Sequence, residues 1–398
     1  MTITINNKNK KPNVPNLRFP EFQGEWEKCT LEDVMNFSTT RVNSSELNEG
    51  NYISTENMLQ DYQGIVDAKS VPEDVNVISF SCGDILISNI RPYLKKVWKA
   101  TYNGGCSSDV FVLKANDNIE SDYLHYVIAN DKFINFVMSG AKGVKMPRGD
   151  KNQMKTYSLS LPQIQEQKKI GKMLSLLDER IATQNKIIED LKKLKSAIIE
   201  KVFNGKHSEK LQLNDVGSYI RGLTYSSNDV VEHGGTLVMR SNNIINGSLL
   251  DYNNNVVFVN KQMSAEQQLQ NGDVVICMAN GSSSLVGKSS FYDGSCHSPI
   301  TVGAFCGIYR SKEPIVKWLF QTNKYRRYIW NSLQGGNGAI ANLNGEDILN
   351  MSFSIPNATI KNTCVKMLTS VDSALENNMS LCALYTLQKQ HLLRQMFI

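Results

Sequence analysis

Two stretches of the chain repeat their apolar residues in steps of three and four. The first seam reads Leu174, Leu177, Ile181, Gln184, Ile188, Leu191, Lys195, Ile198 and Val202. The second reads Leu368, Val371, Leu375, Asn378, Cys382, Tyr385, Lys389, Leu392 and Met396. Polar residues fill most positions between. A mean step of about 3.5 residues is the signature of a coiled-coil seam, so the pattern predicts two long helices packed on each other. It also allows two amphipathic helices, each packed on its own domain. Pro162 and Pro356 lie just before the two stretches, where a helix start tolerates proline. Gln184 and Asn378 put a polar side chain at the same place in each seam, which fixes register at some cost in stability.

Upstream of each seam the period changes. Short β-branched and aromatic runs, bounded by Gly, Asn and Asp, read as strands. In the first half these are DVMNFSTTRV, NVISF, DILISNI and VFVLKA; in the second, VVFVN, DVVICMA and VGAFCGIYR. Each set leads into a short helical stretch, SDYLHYVIANDKFINFVMSG or IVKWLFQTNKYRRYIWNSLQ, and then a glycine-bearing polar loop. The expected fold class is α+β, with two similar β-rich domains and two long helices.

The order of elements is written twice. Residues 161–203 align with 355–397 at a constant offset of 194, without a gap. Pro162 falls on Pro356, Asp178 on Asp372 and Phe203 on Phe397. Further upstream LEDV from Leu31 matches LNDV from Leu213, and CGDILI matches NGDVVI. The expected division is a flexible leader at 1–16, a first domain at 17–160, a long helix at 161–206, a second domain at 207–354 and a second long helix at 355–398.

Composition narrows the function. A chain of 398 residues, 41% hydrophobic and 20% charged, is long enough for two cores. Its apolar runs fall short of the roughly 18 residues that span a membrane, and the polar, basic start is not a secretion signal. A cytoplasmic protein is expected. The net charge of +5 is compatible with nucleic acid. The eight cysteines include no C-x-x-C pair and the five histidines are isolated, so neither a zinc site nor any other metal or cofactor is expected.

Two stretches raise the possibility of an enzyme. Gly281–Ser289 follows an apolar run and ends in Gly-Lys-Ser, as a phosphate cradle does. Yet five residues separate Gly281 from Gly287, one more than the cradle uses, and a turn rather than a helix follows. The counterpart in the first half, SNIRPYLKKVWKA, has no glycine. A loop between two strands is the alternative. Asp150, Glu166 and Lys168 could form a nuclease triad, but Glu166 aligns with Ile360 and Lys168 with Asn362 in the second copy.

The polar loops before the long helices suit DNA better. The first carries Lys142, Lys145, Arg148 and Lys151 against Asp150, and its counterpart is rich in Gly and Asn, including Asn337, Asn342 and Asn344. Basic groups neutralise phosphates, and Asn can pair with an adenine edge. Arg91, Lys95 and Lys96 lie amid Tyr93 and Trp98 in a second basic strip. Arg240, Asn242, Asn280 and Lys288 are the candidates in the second half. Different chemistry at the same place in two copies suits two readers of different sequences.

The duplicated plan, NLRFPEFQGEWEKCTLEDV near the start, GDILISNIRPYLKKV, and the Pro-x-x-x-Glu-Gln start of the first long helix resemble the specificity subunits of type I restriction-modification enzymes. The second helix start, IPNATIKNTC, lacks the Glu-Gln pair. The resemblance implies two target recognition domains held apart by an antiparallel coiled coil. It implies no catalysis by this chain, binding to a bipartite site in double-stranded DNA, and assembly with two methyltransferase subunits and restriction-translocase subunits.

Overall fold

Continuous apolar runs such as those at 85–87 and Val274–Cys277 have no polar face, which predicts strands buried on both sides. The computed structural model, which describes residues 13–205, 209–333 and 341–398, places both runs inside four-stranded sheets. The chain divides into two units, one of Met1–Asn185 with Leu381–Ile398, the other of Lys186–Ser380.

In unit 1 the central sheet has the order Met35–Phe37, Val110–Ala115, Ile85–Ser88, Val97–Lys99, all antiparallel. Alternation along one strand divides two cores. Ile85 and Ile87 face the helices Ser121–Ile128 and Asp131–Ser139, with Tyr123, Leu124 and Phe133. Leu86 faces the opposite way, into a cluster with Ile53, Phe80 and Cys106. That second cluster is closed by another four-stranded sheet, ordered Arg41–Asn43, Asn76–Phe80, Gly104–Cys106, Tyr52–Ile53. The stretch DVMNFSTTRV is therefore not one strand. It begins inside the short helix Leu31–Val34 and then gives strands to two different sheets. The backbone N–H and hydroxyl of Thr30 both donate to Asp33 at 2.7 Å, and this cap starts the helix.

Unit 2 repeats the plan. Its central sheet runs Gly217–Arg221, Cys306–Ser311, Val274–Cys277, Ser289–Phe291. Val274 and Ile276 face the helical side with Trp318, Leu319 and Tyr325; Val275 and Cys277 face the second sheet with Cys306 and Ile308. The second sheet differs in detail. Here Val257–Val259 pairs with Thr236–Met239, which pairs in parallel with Ile300–Val302. In unit 1 the equivalent of the last strand takes the inner place and Tyr52–Ile53 lies at the edge.

Each long helix, Ile164–Phe203 and Ala358–Met396, contributes to both units. Every seam position read from the sequence is buried or half-buried. Leu174, Leu177, Leu368, Val371, Leu375 and Ile188 are buried; Ile181, Leu191, Ile198, Tyr385 and Leu392 are half-buried. Within unit 1 Asp178 meets Lys389 at 2.6 Å and Asn185 meets Cys382 at 3.3 Å, so the paired segments run antiparallel. Within unit 2 Lys195 meets Asp372 at 2.6 Å. The sequence offset maps Asp178 onto Asp372 and Lys195 onto Lys389. The same ion pair therefore occurs once in each unit, with the helices exchanging roles.

Candidate nucleic-acid interface

In unit 1, two loops meet at one end of the central sheet. Ile90 and Lys142 both form β-bridges to Arg148. The Arg91 N–H donates to the Pro147 carbonyl at 2.8 Å, and the Gly149 N–H to the Asn89 carbonyl at 3.0 Å. Arg91 and Lys95 both take left-handed backbone conformations, with φ of 49° and 54°. For residues with a Cβ this strain costs on the order of 1 kcal/mol or more, and it persists where the surroundings over-determine it. The corner is thus a fixed construction.

Its charges divide into two groups. Arg91, Lys142, Lys145 and Arg148 are exposed. Arg148 is held by Asp109 at 2.8 Å. Lys142 pairs with Asp150 at 3.2 Å and holds that carboxyl below the usual carboxylate range. The other three candidates turn to their own unit. Lys95 pairs with Asp131 at 2.9 Å, Lys96 donates to the Thr55 carbonyl at 2.5 Å, and Lys151 lies over the Phe111 ring at 4.8 Å. Burial, then the neighbouring Arg91 charge, lowers the Lys96 ammonium below the usual lysine range.

At the same corner of unit 2 is a cleft whose lining residues include no lysine. Ala279–Asn280 pairs with Ala341–Asn342, joining the loop after the buried strand to the polar loop before the second long helix. The cleft lies beside them, has a volume of about 490 Å³, and is lined by Tyr225, Arg240, Ser241, Asn280 and Phe305 among others. The Asn280 amide donates to the Ser241 hydroxyl at 3.2 Å, and Arg240 reaches the Asn255 carbonyl at 3.2 Å. Asn242 and Asn342 are exposed. Lys288 does not line the cleft. Asn344 caps the helix Gly345–Leu349, accepting from the Asp347 N–H at 3.0 Å. Asn337 lies outside the described residues.

Neither enzymatic alternative finds a site. After Gly281 comes a single 3-10 turn, Ser283–Leu285, and Lys288 is followed by the strand Ser289–Phe291, not by a helix. Gly287 is pressed against Ile329, where an added Cβ would come within 2.7 Å. The loop thus lacks the following helix whose N-terminus would bind phosphate. Asp150 accepts from the N–H groups of Asn152 and Gln153 as a helix cap. Glu166 is fully buried and accepts from Nε and Nη2 of Arg18, each at 2.8 Å, while Lys168 pairs with Glu120 at 3.3 Å. The supposed triad is spoken for by three separate partners.

Two residues at the corners escaped the sequence reading, Asp109 and Phe305. Strand register would have found them. Val110 lies opposite Ser88, and Cys306 lies opposite Cys277, so Asp109 and Phe305 are the same position in the two copies.

The type I restriction modification DNA specificity domain family matches residues 23–193. The putative type I restriction enzyme MjaX specificity subunit of Methanocaldococcus jannaschii is 29% identical over 49% of this chain and 49% of its own length. The EcoKI specificity subunit of Escherichia coli is 33% identical over 37% of this chain and 31% of its own. The matches thus span about half or less of these relatives' lengths. In three dimensions the S subunit of a type I restriction-modification system from M. genitalium aligns over 97% of this chain and 99% of its own, with a TM-score of 0.66 at 15% identity. That likeness is one of fold. Among the described residues no helix is long and apolar enough to cross a membrane. Over residues 23–193 the chain is thus similar to the type I restriction modification DNA specificity domain, and the relatives that align with it are specificity subunits of type I restriction enzymes.

Proposed function

We propose that this chain reads a bipartite sequence in double-stranded DNA, one half-site per unit, and has no catalysis of its own. Residues 17–160 and 207–354 are the two target recognition domains. The partners are two methyltransferase subunits and the restriction-translocase subunits, and the complex works in the cytoplasm. The observation that carries this reading is the repeated corner. One scaffold is built twice, and at the same sheet end it presents exposed basic side chains in unit 1 and a cleft with Arg240 and Asn280 in unit 2. Phosphate contacts position a protein on DNA, and side chains that reach base edges give sequence.

The test replaces Lys142 and Lys145 together by Ala in the complex with its methyltransferase partners. Both side chains are exposed, so the fold should be unaffected. Each lost phosphate contact reduces the log–log salt slope of DNA binding by roughly 0.9. Affinity should fall at low salt, with the slope smaller by up to about two units. Unchanged affinity and slope would place the loop away from DNA.

A further inference from the structure

We propose that one position in each unit, Asp109 in unit 1 and Phe305 in unit 2, sets which base pair that unit selects: Asp109 by fixing Arg148 for a guanine, Phe305 by packing against a thymine methyl. The proposal rests on the reading of the two corners as DNA-facing.

The two residues share a backbone setting. Each immediately precedes a strand of the central sheet, Val110–Ala115 or Cys306–Ser311. Each carbonyl is held by the opposing loop, that of Asp109 by the Asn89 N–H at 2.7 Å, that of Phe305 by the N–H groups of Met278 and Ala279 at 2.9 and 3.1 Å. The backbone is thus fixed and only the side chain differs. In unit 1 the carboxylate engages one terminal nitrogen of Arg148 at 2.8 Å. A guanidinium has five donors in a rigid fork, so this bond orients it and leaves donors free. A bidentate arginine on guanine O6 and N7 is the commonest specific contact in the major groove. In unit 2 the same position is an aromatic ring, 68% exposed, on the wall of the cleft that holds Arg240 and Asn280. A lone exposed Phe is ordinary. One that shares a cleft with polar groups able to meet base edges supplies what those groups lack, a surface for the thymine methyl.

The experiment is the methylated motif of the complex, mapped by sequencing, for single variants. Phe305→Ala should relax one A·T position in one half-site by roughly tenfold, the discrimination one good base contact gives. Phe305→Leu, which keeps an apolar surface, should retain most of it. Asp109→Ala should relax one G·C position in the other half-site, and Asp109→Asn, which can still accept from Arg148, should relax it less. If Lys142/Lys145→Ala weakens DNA binding while all four motifs stay unchanged, this assignment is wrong and the DNA reading stands. If that control also binds like wild type, the DNA reading falls too. A single variant that alters both half-sites would overturn the assignment.

Discussion

Glu166 is fully buried with an ionic partner, and His125 carries a buried ring nitrogen without one. Glu166 makes a bidentate bond to Arg18, whose guanidinium is raised above its ordinary value chiefly by that hydrogen bond. Replacing Glu166 with Gln keeps the shape but removes the charge that Arg18 needs. Breaking a buried pair from one side costs roughly 3 kcal/mol or more, so the thermal midpoint should drop by several degrees. A midpoint within a degree of wild type would contradict this. His125 has no such partner. Its Nδ1 is buried without a hydrogen bond. Burial, and then the charge of Lys389, push its pKa down to about 4, against the opposing pull of Asp178 and Asp122. The unfolded chain binds this proton near pH 6.5, the folded chain only near 4, so unfolding takes up a proton between those values. The stability is complete above about pH 6.5 and declines as the pH falls, by about 3 kcal/mol over the window. Carboxylates contribute to acid lability as well, so the measurement is a difference. Between pH 7.5 and 5 the thermal midpoint of His125→Gln should fall less than that of wild type. Parallel curves would mean that His125 is not the group titrating.

At the scale of elements, the two long helices carry a polar interruption that their heptads do not require. Lys195 is only 6% exposed and donates to Asp372 at 2.6 Å and to the Gly247 carbonyl at 2.7 Å. Asp372 also receives the Trp318 indole N–H at 3.0 Å and Lys317 at 3.3 Å. Its partners are unequally replaceable. Without Lys195, Asp372 keeps two others; without Asp372, Lys195 is a buried ammonium with one carbonyl. Asp372→Ala should therefore cost on the order of 3 kcal/mol, and Lys195→Met less. The double variant should be less destabilised than the two losses added, the coupling expected of residues in contact. Additive losses in denaturant unfolding would rule out the network. The symmetric pair of Asp178 and Lys389 is more exposed, at 36% and 14%, and should tolerate the same changes better. The seam itself was legible, because burial on one face leaves a 3.5-residue trace in the sequence. The strand segments NVISF, DILISNI and VFVLKA were legible for a similar reason. What carried no trace was which strand lies beside which. Inner and edge strands are exchanged between the two second sheets, and the inner strand of unit 1, Gly104–Cys106, has no β-branched residue to mark it as a strand; the break in DVMNFSTTRV turns on one cap, Thr30 with Asp33. The corners were legible in part. Charge marked Lys142, Lys145 and Arg148, but the same charge sits on Lys95, Lys96 and Lys151, which the fold turns inward. Asp109 and Phe305 are visible only through register.

For the whole molecule, the repeat makes each β-rich domain a module whose two ends meet. Glu209 pairs with Ile355 across the strands Glu209–Gln212 and Ser352–Ile355, as Glu27 pairs with Leu161 in unit 1. Adjacent ends at a structural seam are where a segment can be exchanged with least disturbance. Consider residues 27–161 inserted in place of 209–355. The transplanted segment must satisfy the long helices around it. In unit 2 the Trp318 indole N–H donates to Asp372, and in unit 1 the Tyr126 hydroxyl donates to Asp178 at 2.8 Å. Asp178 and Asp372 are equivalent, so the newcomer brings its own donor to the right carboxylate. Lys195 would lose the Gly247 carbonyl but gain a tyrosine ring, as Lys389 has over Tyr126 at 5.5 Å. The hybrid should fold. On the proposed function, a complex of the hybrid with methyltransferase subunits should methylate a motif containing the first half-site twice and the second not at all. Each good base contact contributes about 1–3 kcal/mol, so a native second half-site should be rejected by a wide margin. The readout is the methylated motif in cells that carry the hybrid. Retention of the native second half-site would mean that residues outside 209–355 read it. A stable hybrid that methylates no motif would mean that the two modules are not interchangeable readers.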